Sequence, residues 1–241
     1  MELGLNGKRA AVAAASAGLG LASATALAAE GVTVAICGRD RARIDDAAAA
    51  IGSGCIPLVA DVSDAAGGTA FVAAATEALG GIDILVTNGG GPPAGTFEST
   101  DLDAYPPAID QSLMSVVAMT KAAAPAMQAA GWGRIVAITS VAVRQPIAHL
   151  ILSNTARAGV TGFLKTVALE LKDTGVTVNS VQPGLHRTDR VKQLYGTDAE
   201  SMRLGDPDDF GSIVAFVCSD QAKFLTGAHI HVDGGTYQAL L

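Results

Sequence analysis

Cysteine is nearly absent. The chain of 241 residues has three, Cys37, Cys55 and Cys218, far apart and odd in number. That spacing argues against a disulfide framework and offers a metal no cysteine pair, so no metal site is expected and each thiol reads as a small buried apolar group. Long apolar runs are missing too. No uninterrupted stretch reaches the roughly 18 residues of a membrane span, and the opening MELGLNGKRA lacks the apolar core of a secretory leader. The expectation is a cytoplasmic protein with no membrane partner. Positive charge is in deficit as well: 16 Lys and Arg stand against 23 Asp and Glu, a net charge of −7. With no basic stripe, nucleic acid is a poor partner.

What is present is a foldable chain, 49% hydrophobic and 16% charged, long enough for one large domain spanning residues 1–241. Apolar β-rich runs alternate with Ala-rich helical segments from end to end. The strand candidates are Arg9–Ala14, Val32–Cys37, Ile56–Ala60, Ile84–Thr87, Arg134–Thr139, Thr177–Val181 and His229–Val232. Several are apolar on both faces, as strands covered by helices on both sides should be. Helices are expected near Leu19–Glu30, Arg41–Ile51, Ala65–Leu79, Tyr105–Ala130, Leu150–Lys172 and Pro207–Ser219. This alternation predicts an α/β fold, a doubly wound parallel sheet of seven strands of Rossmann type, with ligands bound at the strands' carboxyl edge. The Gly89–Pro93 run is a loop after the fourth strand rather than a linker. Trp132, Phe216 and Phe224 read as core or interface residues.

The first strand runs into Ala14-Ala15-Ser16-Ala17-Gly18-Leu19-Gly20, and a helix follows. Glycine admits a pyrophosphate close to the backbone, and the helix N-terminus aims N–H groups at it. The second strand ends Cys37-Gly38-Arg39. An acidic residue there would hold the two ribose hydroxyls of NAD; Gly38 carries no charge, and Arg39 offers a guanidinium fork suited to a 2′-phosphate. NADP is therefore expected over NAD.

Further segments complete a pattern. Asp61-Val62 follows the third strand, Thr87-Asn88-Gly89-Gly90 ends the fourth, Ser140 ends the fifth, Pro183-Gly184 with Thr188 follows the sixth, and Asp233-Gly234-Gly235 lies near the C-terminus. In this order and spacing the chain resembles the short-chain dehydrogenases/reductases over essentially its whole length. The resemblance implies that Asp61 and Val62 contact adenine, that Asn88, Gly89 and Gly90 flank the cofactor, and that Pro183, Gly184 and Thr188 clasp the nicotinamide amide. It also implies a homotetramer or homodimer, formed through the long helices beside the fifth strand and through the C-terminal strand, and a small-molecule carbonyl or alcohol substrate covered by Leu185–Gly205.

The family works with Asn, Ser, Tyr and Lys, the Tyr thirteen residues after the Ser and the Lys four after the Tyr. Counting from Ser140 gives Ser153 and Arg157, and the asparagine aligns with Ser112. Ser140 alone matches. The i, i+4 spacing keeps Ser153 and Arg157 on one helical face. A tyrosine starts near pKa ~10 and can be tuned; a serine hydroxyl is a far weaker acid, and arginine holds its charge instead of exchanging protons. An NADP-dependent oxidoreductase with an altered site is expected. The alternatives are an NADP-binding sensor or partner without redox turnover, and non-redox chemistry on the same fold. His149 and His186, then Tyr195, are candidates to supply the missing proton. His229 and His231 share one face of the last strand, where packing or a subunit contact is expected.

Overall fold

The computed structural model describes residues 2–240; Met1 and Leu241, the ends of the expected domain, lie outside the described residues. Seven parallel strands form one sheet: β1 (Arg9–Val12), β2 (Thr33–Gly38), β3 (Ile56–Val59), β4 (Ile84–Thr87), β5 (Gly133–Ile138), β6 (Val176–Pro183) and β7 (His229–Val232). Their order across the sheet is β3-β2-β1-β4-β5-β6-β7. The expected α/β fold of Rossmann type is present. β1 pairs Ala10 with Ile84 of β4 and Arg9 with Thr33 of β2, so the chain reverses direction across the sheet between β1 and β4. At such a switch point the loops after neighbouring strands diverge and leave a crevice at the carboxyl edge.

The helices cover both faces. α1 (Gly18–Ala29), α2 (Arg41–Ile51) and α8 (Pro207–Cys218) pack on one side, where Leu27, Ile36, Ile84, Val86 and Phe210 form a core. α3 (Ala65–Leu79), α5 (Ser115–Ala130) and α6 (Ile151–Glu170) cover the other side around Phe71, Leu85, Met119, Ile135 and Val160. Alternate residues of one strand feed opposite cores: Ala10 and Val12 face the first, Ala11 and Ala13 the second. Small residues let α8 sit directly on α1, since a Cβ on Gly211 would collide with the Ala22 carbonyl.

Two departures from the sequence expectation concern the site. The predicted helix Tyr105–Ala130 is three pieces: α4 (Tyr105–Ile109), a π-helical turn over Asp110–Met114, and α5. A π-turn inserts one extra residue, which changes the side chains presented to the sheet edge. The segment after β6 contains a short helix, α7 (Asp189–Tyr195), where only a covering segment was expected. Phe224 is 99% exposed and Phe216 41% exposed, so neither belongs to the core; Trp132 packs against it between the cations of Lys8 and Arg134. No helix among the described residues is long and apolar enough to cross a membrane.

Candidate functional site

A cavity of about 560 Å³ opens at the carboxyl edge over the switch point, within the usual range for small-molecule sites. One end is built by the turn after β1. Ala14, Ser16, Ala17, Gly18 and Leu19 line it. Ala17 precedes α1 with an extended backbone and no side-chain cap, and the first turn holds no acidic residue. The helix thus presents uncapped N–H groups and its positive end to the cavity. Gly18 takes φ +59°, and a Cβ there would stand 3.4 Å from Thr188 Cγ2. Gly20 does not line the cavity. A Cβ at Gly20 would lie 2.6 Å from Asn88 Nδ2 and 2.8 Å from the Ala14 carbonyl oxygen. Its bareness makes room for the hydrogen bond from Asn88 Nδ2 to that oxygen, 3.0 Å long, which ties the β4 end to the turn.

Gly38 and Arg39 extend this end past β2, and Ala60, Asp61 and Val62 extend it past β3. Arg39 is exposed, and the neighbouring Asp40 is occupied elsewhere, capping α2 by accepting from Arg43 N at 2.9 Å. Asp61 accepts from Ser63 N at 3.0 Å. A nucleotide matches this cradle: small side chains with glycine at positions 18 and 38, an uncapped helix N-terminus, and a cation at the far end.

The other end lies between β4, β5 and β6. Asn88, Gly89 and Gly90 line it from the β4 loop, and Pro183, Gly184 and Thr188 from the β6 loop. Ser140, Ser153 and Arg157 reach the same space. Ser140 Oγ accepts from Ala142 N at 3.1 Å, so its own O–H is left to donate. Ser153 and Arg157 come from the first two turns of α6. Arg157 Nη1 donates to the Ile138 carbonyl at 3.2 Å, which fixes the guanidinium against the end of β5. Burial, followed by the like charge of Arg190, pushes the Arg157 guanidinium down to about 10, so it stays protonated at neutral pH.

Ser112 does not join them. Its Oγ is buried without a hydrogen-bond partner. The π-turn presents the preceding residue instead, and Gln111 lines the cavity. Of the proton candidates, His149 is exposed and off the cavity wall, whereas His186 and Tyr195 line it, which reverses the expected ranking of His149 and Tyr195. His186 is buried; its Nδ1 is 3.2 Å from the Gly184 carbonyl and its ring meets Phe210 edge-on. A carbonyl only accepts, so Nδ1 donates and Nε2 is the free nitrogen. His229 and His231 stand apart from the cavity: His229 Nδ1 is 2.8 Å from Ser180 Oγ and His231 packs on Tyr237.

Within the expected covering segment Leu185–Gly205, α7 supplies wall residues that were not named individually beside Tyr195, which was. Val191, Leu194 and Tyr195 line the cavity at helical spacing, a periodicity that was readable in the chain. Arg190 also lines it, and no motif marks it.

Known proteins share this architecture and these segments. The model of a family described as enoyl-(acyl carrier protein) reductase matches residues 13–237. Human dehydrogenase/reductase SDR family member 4 is 33% identical over 223 residues, covering 87% of this chain and 80% of its own. The crystal structure of L-sorbose reductase from Gluconobacter frateurii, complexed with NADPH and L-sorbose, superposes with a TM-score of 0.93 at 28% identity, covering 100% of both chains. An NADPH-bound short chain oxidoreductase from Pseudomonas aeruginosa PAO1, described as containing an atypical catalytic center, superposes with a TM-score of 0.88 at 30% identity, covering 96% of this chain and 97% of the other.

Proposed function

The chain belongs to the short-chain dehydrogenase/reductase family, and from that premise we propose an NADP-dependent oxidoreductase that moves a hydride between nicotinamide and a small carbonyl or alcohol substrate. The observation that carries this reading is the convergence of Ser140, Ser153 and Arg157 on one cavity with the nucleotide cradle. Residues 1–241 then form a single dinucleotide-binding domain. NADP rather than NAD is supported by Gly38, which leaves no carboxylate to repel a 2′-phosphate, and by Arg39, which is in no ion pair among the described residues.

NADPH, when bound, supplies the hydride. The turn from Ala14 to Leu19 and the α1 N-terminus hold its pyrophosphate, Asp61 and Val62 its adenine, and Pro183, Gly184 and Thr188 its nicotinamide amide. Asn88, Gly89 and Gly90 complete the wall between the two ends. Arg157 holds the nicotinamide ribose and keeps a fixed positive charge beside the reacting oxygen. Ser140 and Ser153 donate hydrogen bonds to that oxygen as negative charge grows on it, which lowers the barrier only to the extent that they bind the transition state better than the ketone. Neither serine is a sufficient acid, so the proton reaches the oxygen through water or from His186 in its doubly protonated form, in which Nε2 carries a proton. Ser112, turned into the protein, has no part in this scheme.

Titration with NADPH and NADH, followed by a panel of carbonyl compounds monitored by NADPH absorbance, tests the reading. NADPH binding without turnover of any carbonyl would favour the second reading, an NADP-binding partner or sensor, which the absence of a tyrosine at position 153 keeps in play. A homotetramer, or failing that a homodimer, belongs to the proposal. Ala158, Gly159 and Gly162 leave one face of α6 small and exposed, and Leu169 on the same helix is 65% exposed. Monomer mass by light scattering at micromolar concentration would contradict it. A cytoplasmic location is proposed from the three free thiols.

A further inference from the structure

We propose that Arg190 recognises an anionic group on the substrate, so that the compound reduced or oxidised carries a carboxylate near its carbonyl or hydroxyl. This deepens the oxidoreductase reading and rests on it.

Arg190 is the second residue of α7 and half-buried in the cavity wall. Its Nη2 donates to the Pro92 carbonyl at 2.7 Å. The guanidinium lies flat on the backbone of Gly91: a Cβ there would stand 2.7 Å from Nη2 and 2.9 Å from both Nε and Cζ. The loop after β4 therefore seats this one side chain, and the bareness of Gly91 is what allows it. One N–H is committed to Pro92, and a guanidinium has five in a planar fork matched to carboxylate oxygens.

Among the described residues no carboxylate takes the remaining donors. Among the described residues the ion pairs involve Arg9, Arg41, Arg134 and Arg187, and neither Arg190 nor Arg157 is in one. The two acids of the cavity wall are Asp61, past β3 at the adenine end, and Asp189, an exposed residue at the start of α7. Two guanidiniums thus share the catalytic end of one cavity with no ion pair among the described residues, and each is held below the ordinary arginine range by burial. Confining like charges in this way costs stability unless an anion enters. Arg157 is anchored at β5 beside the reacting oxygen. Arg190, anchored at the β4 loop on the covering helix, is placed for a second group of the same substrate.

Calorimetric titration of the protein–NADP⁺ complex tests this with matched pairs: 2-oxobutanoate, 3-oxobutanoate and 4-oxopentanoate against their methyl esters. For at least one pair the acid should bind about tenfold or more tightly than the ester, the usual worth of a charge-assisted hydrogen bond. Arg190→Gln should bring the two affinities together, Arg190→Lys should restore part of the gap, and NADPH affinity should stay within about twofold. Equal affinities of acid and ester in the wild-type protein, including no measurable binding of either, overturn the proposal, and this result does not depend on any variant folding. So does a gap that survives in Arg190→Gln, or a loss of NADPH affinity in that variant as large as the loss of acid, which would assign the guanidinium to the cofactor. Hydride transfer is read separately from NADPH absorbance: acid binding that obeys Arg190 without turnover would sink the oxidoreductase reading while supporting the anion site.

Discussion

Asn88 Nδ2 donates to the carbonyl of Ala14 at 3.0 Å, and Ala14 is held in the left-handed region with φ +48°. The same residue donates its N–H to Cys37 Sγ at 3.3 Å, and Ala15 N donates to the Cys37 carbonyl at 2.8 Å. Hydrogen bonds from β2 and β4 thus hold a conformation that an alanine resists by roughly 1–2 kcal/mol. Ala14→Gly should relieve the strain, and the greater unfolded-state entropy of glycine returns part of the gain. The expected net is a stabilisation of about 0.5–1 kcal/mol, or about 1–4 °C in melting temperature for a chain of this size. Thermal denaturation checks it; a lower melting temperature would mean that the turn gains more from the methyl group than the backbone loses.

Arg39→Ala should weaken NADPH binding by about tenfold or more and leave NADH unchanged, because a charge-assisted contact to the 2′-phosphate is removed and nothing in NADH meets that side chain. Fluorescence titration of both nucleotides reads the ratio. The reverse change is hindered on steric grounds: a Cβ at Gly38 would lie 3.1 Å from Ser16 Cβ and 3.3 Å from Ile44 Cδ1. Gly38→Asp therefore needs the Ser16 and Ile44 side chains to give way slightly before its carboxylate can serve an NAD site. Equal loss of both nucleotides in Arg39→Ala would remove the assignment.

The sequence made the parallel sheet legible because strands buried on both faces read as continuous apolar runs, and β4, buried along its whole length, ends where that run ends. It also placed both ends of the cavity, since bare turns at strand ends are local features. Ser112 and Arg190 were not legible for a shared reason. Which way a side chain points after a π-turn depends on one inserted residue that no spacing rule sees, and the seat of Arg190 on Gly91 joins positions 99 apart in the chain. Gly20 is bare where Asn88 and the Ala14 carbonyl approach it, a close packing of the turn against the β4 end that joins distant positions.

At the opposite edge of the sheet, Arg9 Nε and Nη2 donate to the two oxygens of Asp83 at 2.9 and 2.8 Å, and Arg9 N adds a third bond at 2.9 Å. Arg9 begins β1 and Asp83 precedes β4, so the pair pins the two strands that flank the switch point. The Arg9 side-chain hydrogen bond holds the Asp83 carboxyl below the ordinary range. An acid whose folded pKa is depressed stabilises the fold above its unfolded value near ~4 and loses that contribution as pH falls through the folded value. Asp83→Asn should cost about 2 kcal/mol at pH 7. The gap in melting temperature should close progressively below pH ~4, with NADPH affinity at pH 7 unchanged. A gap that stays constant down to pH ~3 would show that the charge of Asp83 is not what stabilises.

Arg157 and Ser153 are separable by experiment because one holds a charge and the other a hydroxyl. The folded state depresses the Arg157 guanidinium to about 10, below the ordinary arginine range. For a base this sign means that carrying the proton costs native stability at every pH below about 10, a cost relieved only as pH rises toward the unfolded value. Arg157→Met keeps the length and drops the charge, at the loss of the bond to Ile138. It should leave the cofactor-free protein equal or more stable by up to about 1–2 kcal/mol, while NADPH affinity and turnover fall together. A lower melting temperature would assign Arg157 to the structure rather than to the ligand. Ser153→Ala removes only a donor from a buried position on the same helical face. It should lower kcat by about tenfold to a hundredfold, as loss of one hydrogen bond to a developing oxyanion does, with NADPH affinity within about twofold of the wild type. Because the donor acts on charge that exists only near the transition state, KM should change less than kcat. Wild-type turnover in Ser153→Ala on any reduced carbonyl would show that Ser153 fills the pocket and that Ser140 and Arg157 stabilise the oxygen without it.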